Sequence, residues 1–356
     1  MDIAIKNASA GSGEKARKPF HAPNGIFLLI AAIALVVYGL YLYQFKPMIT
    51  MRLPQHQPLA IDSPPLALTS FQVRAGGEDL VPRSVAFGGD SVYICFAGKP
   101  LIQVYSSNLK LLGSFELDRP ATVFPVTIAL TDSQLVIADT AKGLIAIYDR
   151  DGDYLNSVAW YPGRKTRIKA TQLSTDGKIL TAVDQSLRQI SVISLVKQQP
   201  YYDFLELIEL IPGEDRMRLP NPSCAAIAPE GSIWIGDSSV GKAFIFSPAG
   251  DFVQELEQPV RAKITNPVDC AVAYYANETH PAISSGKSDW QPDQVRMHLL
   301  DKGTGKVYVY NLSGRLTLVY PQDRALLGPT SIAINSTRRE IFITESGNRS
   351  VTVFGY

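Results

Sequence analysis

Five acids recur at one place in this chain. Asp139, Asp184, Asp237, Asp301 and Glu345 each close a short apolar run, as in VIAD and IWIGD, and a polar turn follows each. Two kinds of chemistry suit a carboxylate repeated this way. Ringed on one face of a repeating fold, the five could hold cations. Alternatively each caps its own turn by accepting backbone N–H bonds, as Asp does in tight turns. The capping reading is preferred, because a residue found in nearly every repeat serves the repeat, whereas a site asks one repeat to differ.

The other reactive side chains are scattered. His21, His56, His280 and His298 show no metal-ligand spacing. There is no CxxCH haem-attachment motif, no GxSxG elbow and no phosphate loop. No residue is assigned a catalytic role on these grounds, and no motif implies a cofactor. Cys95, Cys224 and Cys270 fall in predicted strands. Cys224 and Cys270 sit on inner strands of adjacent repeats, one residue out of register, which predicts side chains facing opposite ways and buried free thiols. A Cys224 to Cys270 bridge in an oxidising compartment stays open, leaving Cys95 unpaired.

The elements that must position these groups repeat themselves. "PRSVAFGGDSVYICFAGKPLIQVY" starts at Pro82, "PVTIALTDSQLVIADTAKGLIAIYDRDG" at Pro125 and "PSCAAIAPEGSIWIGDSSVGKAFIFSPAG" at Pro222. "PVDCAVAYY" at Pro267 resumes after an insertion as "RMHLLDKGTGKVYVYNLSG", and "PTSIAINSTRREIFITESGNRSVTVFGY" starts at Pro329. A worn sixth copy runs from Lys169 to Leu195. Each copy reads as three short strands, most with a fourth, at spacings near the roughly 40–45 residues of a four-stranded propeller blade. The last copy supplies only three strands, while "LALTSFQVRA", Leu66 to Ala75, is an unassigned strand before the first copy. The expectation is an all-β, six-bladed propeller over residues 66–356, with strand 66–75 joining the last blade so that no edge is left bare.

These residues resemble the NHL repeat: a proline, an alanine four positions on, "VIAD" or "IWIGD", a polar turn, then "IAIYDRDG" or "FIFSPAG". The likeness covers about residues 66–356, departing in the first blade, where Phe96 stands at the acid position, and in the interrupted fifth. It implies a six-bladed ring that binds proteins, RNA or other ligands through one face. On the inner strands Ser84, Thr127, Cys224, Asp269 and Ser331 stand two after the proline, and Ala86, Ala129, Ala226, Ala271 and Ala333 four after it. Six-bladed sugar-lactone hydrolases and paraoxonase-like enzymes hold calcium at the channel mouth through several Glu, Asn and Asp side chains. Here the candidates for such a metal site are Asp269, Asn221 and Asn266. One acid is too few for an ion that takes six to eight oxygens, commonly with several carboxylates among them.

Upstream of the repeats, "GIFLLIAAIALVVYGLYLY" from Gly25 carries no charge. As a helix its eighteen residues from Ile26 span roughly 27 Å, close to a hydrocarbon core. Residues 1–24 read as a cytoplasmic tail, 25–44 as a transmembrane signal-anchor helix with an aromatic belt at its exit, and 45–65 as a proline-rich stalk. Lys6, Lys15, Arg17 and Lys18 precede the segment, against Lys46 and Arg52 in the first twenty residues after it, which keeps the N-terminus cytoplasmic and puts the propeller in a periplasmic or extracellular space. The compact anchor and lack of cysteine pairs favour a bacterial inner membrane. The runner-up is a eukaryotic type II protein similar to the strictosidine-synthase-like propellers, where the sequons at Asn277, Asn311, Asn335 and Asn348 would matter.

With 34 basic and 33 acidic residues in 356, no field strong enough to recruit nucleic acid is present. Three departures from the repeat are the candidate partner contacts. The insertion Tyr275 to Arg296 carries His280 and Trp290, the latter a plausible interface anchor. The connection Tyr161 to Lys169 carries Arg164, Lys165 and Arg167. The segment Ile211 to Pro220 has mixed charge and belongs on the same face as that connection, with the insertion on the other. The reading is a membrane-anchored, extracytoplasmic scaffold or accessory subunit that binds protein partners in an envelope complex. The alternative is a calcium-dependent lactonase or esterase.

Overall fold

The computed structural model of the chain describes residues 63–117, 124–195, 219–260, 263–275 and 292–356, together with the backbone of 204–209. The proposed tail and anchor, and the stalk up to residue 62, lie outside them. Among the described residues no helix is long and apolar enough to cross a membrane.

Six four-stranded antiparallel sheets make the fold. Their inner strands are Pro82–Gly88, Thr127–Leu130, Gln172–Thr175, Pro222–Ile227, Pro267–Tyr274 and Pro329–Asn335. Blades one to five take their outer strands in chain order: Leu111–Glu116, Tyr154–Val158, Phe204–Glu209, Phe252–Glu255 and Leu316–Tyr320. The sixth takes its outer strand from the beginning of the repeat region. Leu66–Gln72 pairs antiparallel with Ser350–Gly355, with Phe71 opposite Val351. That strand ends earlier than its alternation suggests. Arg74–Ala75 leaves the blade to pair with Glu78–Asp79 in a separate two-stranded ribbon, held by Arg74 Nε on Asp79 Oδ1 at 2.6 Å and by Gln103 Nε2 on the Arg74 carbonyl at 2.7 Å.

The core has no single centre. It consists of six apolar wedges, each shared by two neighbouring blades. Tyr93, Ile102, Ile128 and Leu135 fill the wedge between blades one and two, for example, and Trp234, Ile245, Met297 and Tyr308 that between four and five. Because each blade is covered on both faces, its middle strands lose strict alternation and read as continuous apolar runs, as in Ser91–Phe96 and Glu340–Glu345.

The recurring acids sit where second strands end, all fully buried. In each aspartate, one carboxylate oxygen caps the turn to the third strand and the other accepts from the segment leading into the blade. Asp139 takes Lys142 N–H at 2.9 Å and Phe124 N–H at 3.3 Å, Asp237 takes Ser239 N–H at 2.8 Å and Asn221 N–H at 2.9 Å, and Asp301 takes Thr304 N–H at 2.9 Å and Thr265 N–H at 3.2 Å. Asp184 does the same with Leu187 N–H and Lys169 N–H, while Glu345 joins the two segments through one oxygen, Oε2, which accepts from Asn348 Nδ2 and Leu327 N–H. The acids therefore staple two connections together, which is why they recur. The turn at this place takes a left-handed residue in all six blades, including the first, where Phe96 replaces the acid: Gly98, Gly143, Gly241 and Gly305, but Arg188 and Arg349 where glycine is replaced. At Gly241 a Cβ would meet the Ile264 carbonyl oxygen at 2.5 Å, so there the glycine is needed for close approach as well as for its φ.

Candidate functional site

The inner strands converge on a channel, and their side chains cross it in an ordered way. Ser84 Oγ of blade one accepts Ile128 N–H of blade two at 3.2 Å. Thr127 Oγ1 of blade two accepts Leu173 N–H of blade three at 3.3 Å. Gln172 Oε1 of blade three accepts Ala225 N–H of blade four at 3.0 Å. Asp269 Oδ2 of blade five accepts Ile332 N–H of blade six at 2.9 Å, and Ser331 Oγ of blade six accepts Val85 N–H of blade one at 3.4 Å. The same repeat position thus lends an oxygen to the next blade at five of the six junctions. The backbone donors it satisfies are buried and have no strand partner on that side, so leaving one unpaired would cost about 1–3 kcal/mol.

The sixth junction, between blades four and five, is different. Cys224 stands where the others carry an oxygen, and Cys270 N–H turns to its own neighbour, Asp269 Oδ1, at 2.9 Å. Cys224 and Cys270 are both buried in the wedge between these blades, and the Cys270 thiol is pushed up by its interaction with Cys224 and by burial. The expectation that the two side chains face opposite ways is thereby corrected at the level of the assembly. They do leave opposite faces of their own blades, but adjacent blades pack unlike faces together, so a one-residue offset brings the thiols into one wedge. All three cysteines are free.

Asp269 is the centre of the channel. Its Oδ1 accepts from Gln172 Nε2 at 3.0 Å and Cys270 N–H at 2.9 Å, and its Oδ2 from Ser331 Oγ at 2.8 Å and Ile332 N–H at 2.9 Å. No described cation pairs with it. Burial raises its pKa from the ordinary 3.8 to about 6, and the four donors hold it down only in part. Gln172 reaches it from blade three, so the belt spans the channel as well as circling it. Gln172 had no place among the sequence candidates because blade three lacks the starting proline. It could have been found by counting back from Asp184, since it stands as far before that acid as Thr127 before Asp139.

Above and below the belt the channel opens into two cavities of about 320 Å³ each, both touching Asp269 and Ser331. The one on the face of the blade-to-blade connections is lined by starts of inner strands and by the residues that follow the capping acids. Asp269, Asn221 and Asn266 all line it, with Gln185, Ser238, Thr171 and Thr330. The three metal candidates are thus brought to one mouth, yet they do not suit calcium. The single carboxylate is saturated by four donors, and the only other charges among the described residues of the lining are two cations, Arg83 and Lys302. Sequence reading missed both cations. Their signal was a charge at a repeat position where the other blades are neutral. The opposite cavity is lined by Arg150, Asp132, Asp176 and Tyr274, with Arg150 donating to the Gly88 carbonyl at 2.9 Å and the Thr131 carbonyl at 2.5 Å.

The basic connection is a small hairpin. Tyr161 N–H reaches the Thr166 carbonyl, Tyr161 Oη donates to Asp184 at 2.9 Å, and Arg167 lies over the Trp160 ring at 4.7 Å while donating to the Lys142 carbonyl at 2.9 Å. Arg167 therefore has structural work, while Arg164 and Lys165 are exposed at the tip. The inner strand of blade five ends at Tyr274, which lines the cavity on the face opposite the connections. His280 and Trp290 of the insertion lie outside the described residues, as does 211–218 of the mixed-charge segment.

No family model matches this chain, and no curated protein matches it. Among solved structures it is similar to the Kuenenia stuttgartiensis hydrazine synthase, at 12% identity and a TM-score of 0.51, over 78% of this chain and 97% of that one. In all 1285 solved chains match, so the likeness marks a widespread architecture and carries no activity.

Proposed function

We propose that this chain is a membrane-tethered binding propeller of the NHL type, displayed outside the cytoplasm as a scaffold or accessory subunit for protein partners in an envelope complex. The observation that carries this reading is Asp269: the one carboxylate on the inner strands is spent on the belt that joins the blades, which leaves recognition to the faces. The uncharged run from Gly25 and the proline-rich stretch after it support tethering at a distance from the bilayer. The repeated proline, alanine and acid support the NHL assignment.

The test is affinity capture of the tagged, detergent-extracted full chain, with mass spectrometry and metal analysis on the same eluate. The reading expects a stoichiometric protein partner that is lost when Tyr275 to Arg296 is shortened or when Arg164 and Lys165 are changed to glutamine. A lone chain carrying one calcium, with lactone or ester turnover abolished by Asp269→Asn, would overturn it in favour of a hydrolase.

A further inference from the structure

Two kinds of repeat position reach the mouth on the connection face: the residue just before the belt position in every blade, and, in blades three, four and five, the residue just after the capping acid. At the first, the blades carry Val126, Thr171, Ser223, Val268 and Thr330, but Arg83 in blade one. At the second they carry Ala97, Thr140, Gln185, Ser238 and Ser346, but Lys302 in blade five. Blades one and five flank blade six, so the two cations come from the blades on either side of Thr330, and all three residues line the cavity. Neither makes an ion pair or a side-chain hydrogen bond with a described residue. A lone cation at an otherwise neutral repeat position adds nothing to the ring's own bonding.

The rest of the mouth has the character of a sugar site. It measures about 320 Å³ and is lined mainly by hydroxyls and carboxamides. The Gln185 and Asn266 side chains have no described partner, and Asn221 keeps its Oδ1 after giving its Nδ2 to Ser238. Such a lining favours a ligand rich in hydroxyls, because apolar ligands would leave these groups unpaired. The saturated Asp269 closes the floor and offers no free oxygen to a cation.

We propose that this mouth binds a small hydroxylated organic anion, with a sugar acid as the type. Arg83 and Lys302 hold the carboxylate over Thr330, Arg83 through its planar fork, and Asn221, Gln185 and Asn266 take hydroxyls. The site lies on the face opposite Tyr274, where the inner strand of blade five ends, and its occupancy does not depend on a protein partner.

Titration calorimetry on the full chain in detergent, with D-galacturonate, D-galactose and inorganic phosphate as probes, tests this. Galacturonate is expected to bind at least about tenfold more tightly than either of the others, since one charge-assisted contact is worth that much. Its affinity is expected to fall as salt rises, because the cations are solvent-facing. Arg83→Gln and Lys302→Gln are each expected to weaken it by about tenfold. The salt dependence is read on the unaltered protein, so a variant that fails to fold does not spoil the test. Equal binding of galactose and galacturonate would overturn the role of the cations. Phosphate binding as tightly as galacturonate would overturn the hydroxyl-recognising part. Absence of galacturonate binding at tens of millimolar would overturn the proposal outright.

Discussion

Substitution of Asp269 by asparagine separates the two forces acting on the channel carboxylate. Four donors favour its charge and complete burial opposes it, and burial wins, raising the pKa from 3.8 to about 6. The folded state then holds a proton that the unfolded chain has released, so stability from this group is full below pH 3.8 and is lost as pH rises through 6. At about 1.36 kcal/mol per pH unit the loss is about 3 kcal/mol. The substituted carboxamide cannot titrate, but it brings a fixed penalty. Whichever way the amide turns, its NH2 meets the backbone N–H of either Cys270 or Ile332, and that orphaned donor costs about 1–3 kcal/mol at every pH. Urea unfolding of the full chain in detergent, followed by tryptophan fluorescence at pH 4 and pH 7 for both proteins, cancels all other titrations in the difference. The expected result is that the Asp269→Asn variant is the less stable at pH 4 by about 1–3 kcal/mol and draws level or ahead by pH 7. A difference that does not change with pH would refute the claim that burial dominates. One that moves further in favour of aspartate as pH rises would show that the four donors win.

Three further outcomes follow from the same geometry. Thr127→Val keeps the shape but removes the acceptor for Leu173 N–H, so it is expected to cost about 1–3 kcal/mol in urea unfolding, while Thr127→Ser stays close to the unaltered chain. His298 is buried between Tyr275 and Tyr320, with Nδ1 and the Tyr320 hydroxyl 3.0 Å apart, and burial, with a smaller push from Arg296, lowers its pKa from 6.5 to about 3. Its stability contribution is therefore present above pH 6.5 and lost as pH falls towards 3, so His298→Gln is expected to flatten the acid limb of the stability curve by several kcal/mol. Cys95, whose thiol burial pushes up to about 12, and the Cys224 and Cys270 pair are expected to resist an aromatic disulfide reagent in the folded chain and to react fully in urea. Fast labelling of any one under native conditions would contradict the packing of the wedge that holds it.

The blades were legible because each must solve the same local problem. The proline before the inner strand, the alanine near the axis and the acid that staples two connections recur as a sentence, and the six-bladed ring follows from counting copies. The course of the chain at Val73 was not legible, since alternation continues through Leu66 to Ala75 while the strand stops at Gln72. What stops it is tertiary: Val73 is fully buried, its carbonyl takes Leu80 N–H at 2.9 Å, and the next residues fold back into the ribbon with Glu78 and Asp79. The relation of Cys224 to Cys270 was misread for a related reason. Register within one blade gives the direction of a side chain relative to that blade alone, and the outcome depends on which faces two blades press together.

The candidate site was harder to read than the fold because a repeat hides its own exceptions. Asp269 looked like a metal candidate for being the only acid on the inner strands, but its chemistry is set by four donors that come from blades three, five and six. No local stretch of sequence contains them. Gln172 completes that set from a blade whose worn sequence obscured its register. Arg83 and Lys302 could have been found by the rule that dismissed the ring of acids, which is that function shows where one repeat departs from the rest. Applied to all six blades at once, the rule sets aside the residues that recur, Asp139 and its equivalents, as structure. It retains the thiols at the junction of blades four and five and the two cations at the mouth. Only the cations lie on a surface a ligand can reach, and that places recognition above the belt rather than within it.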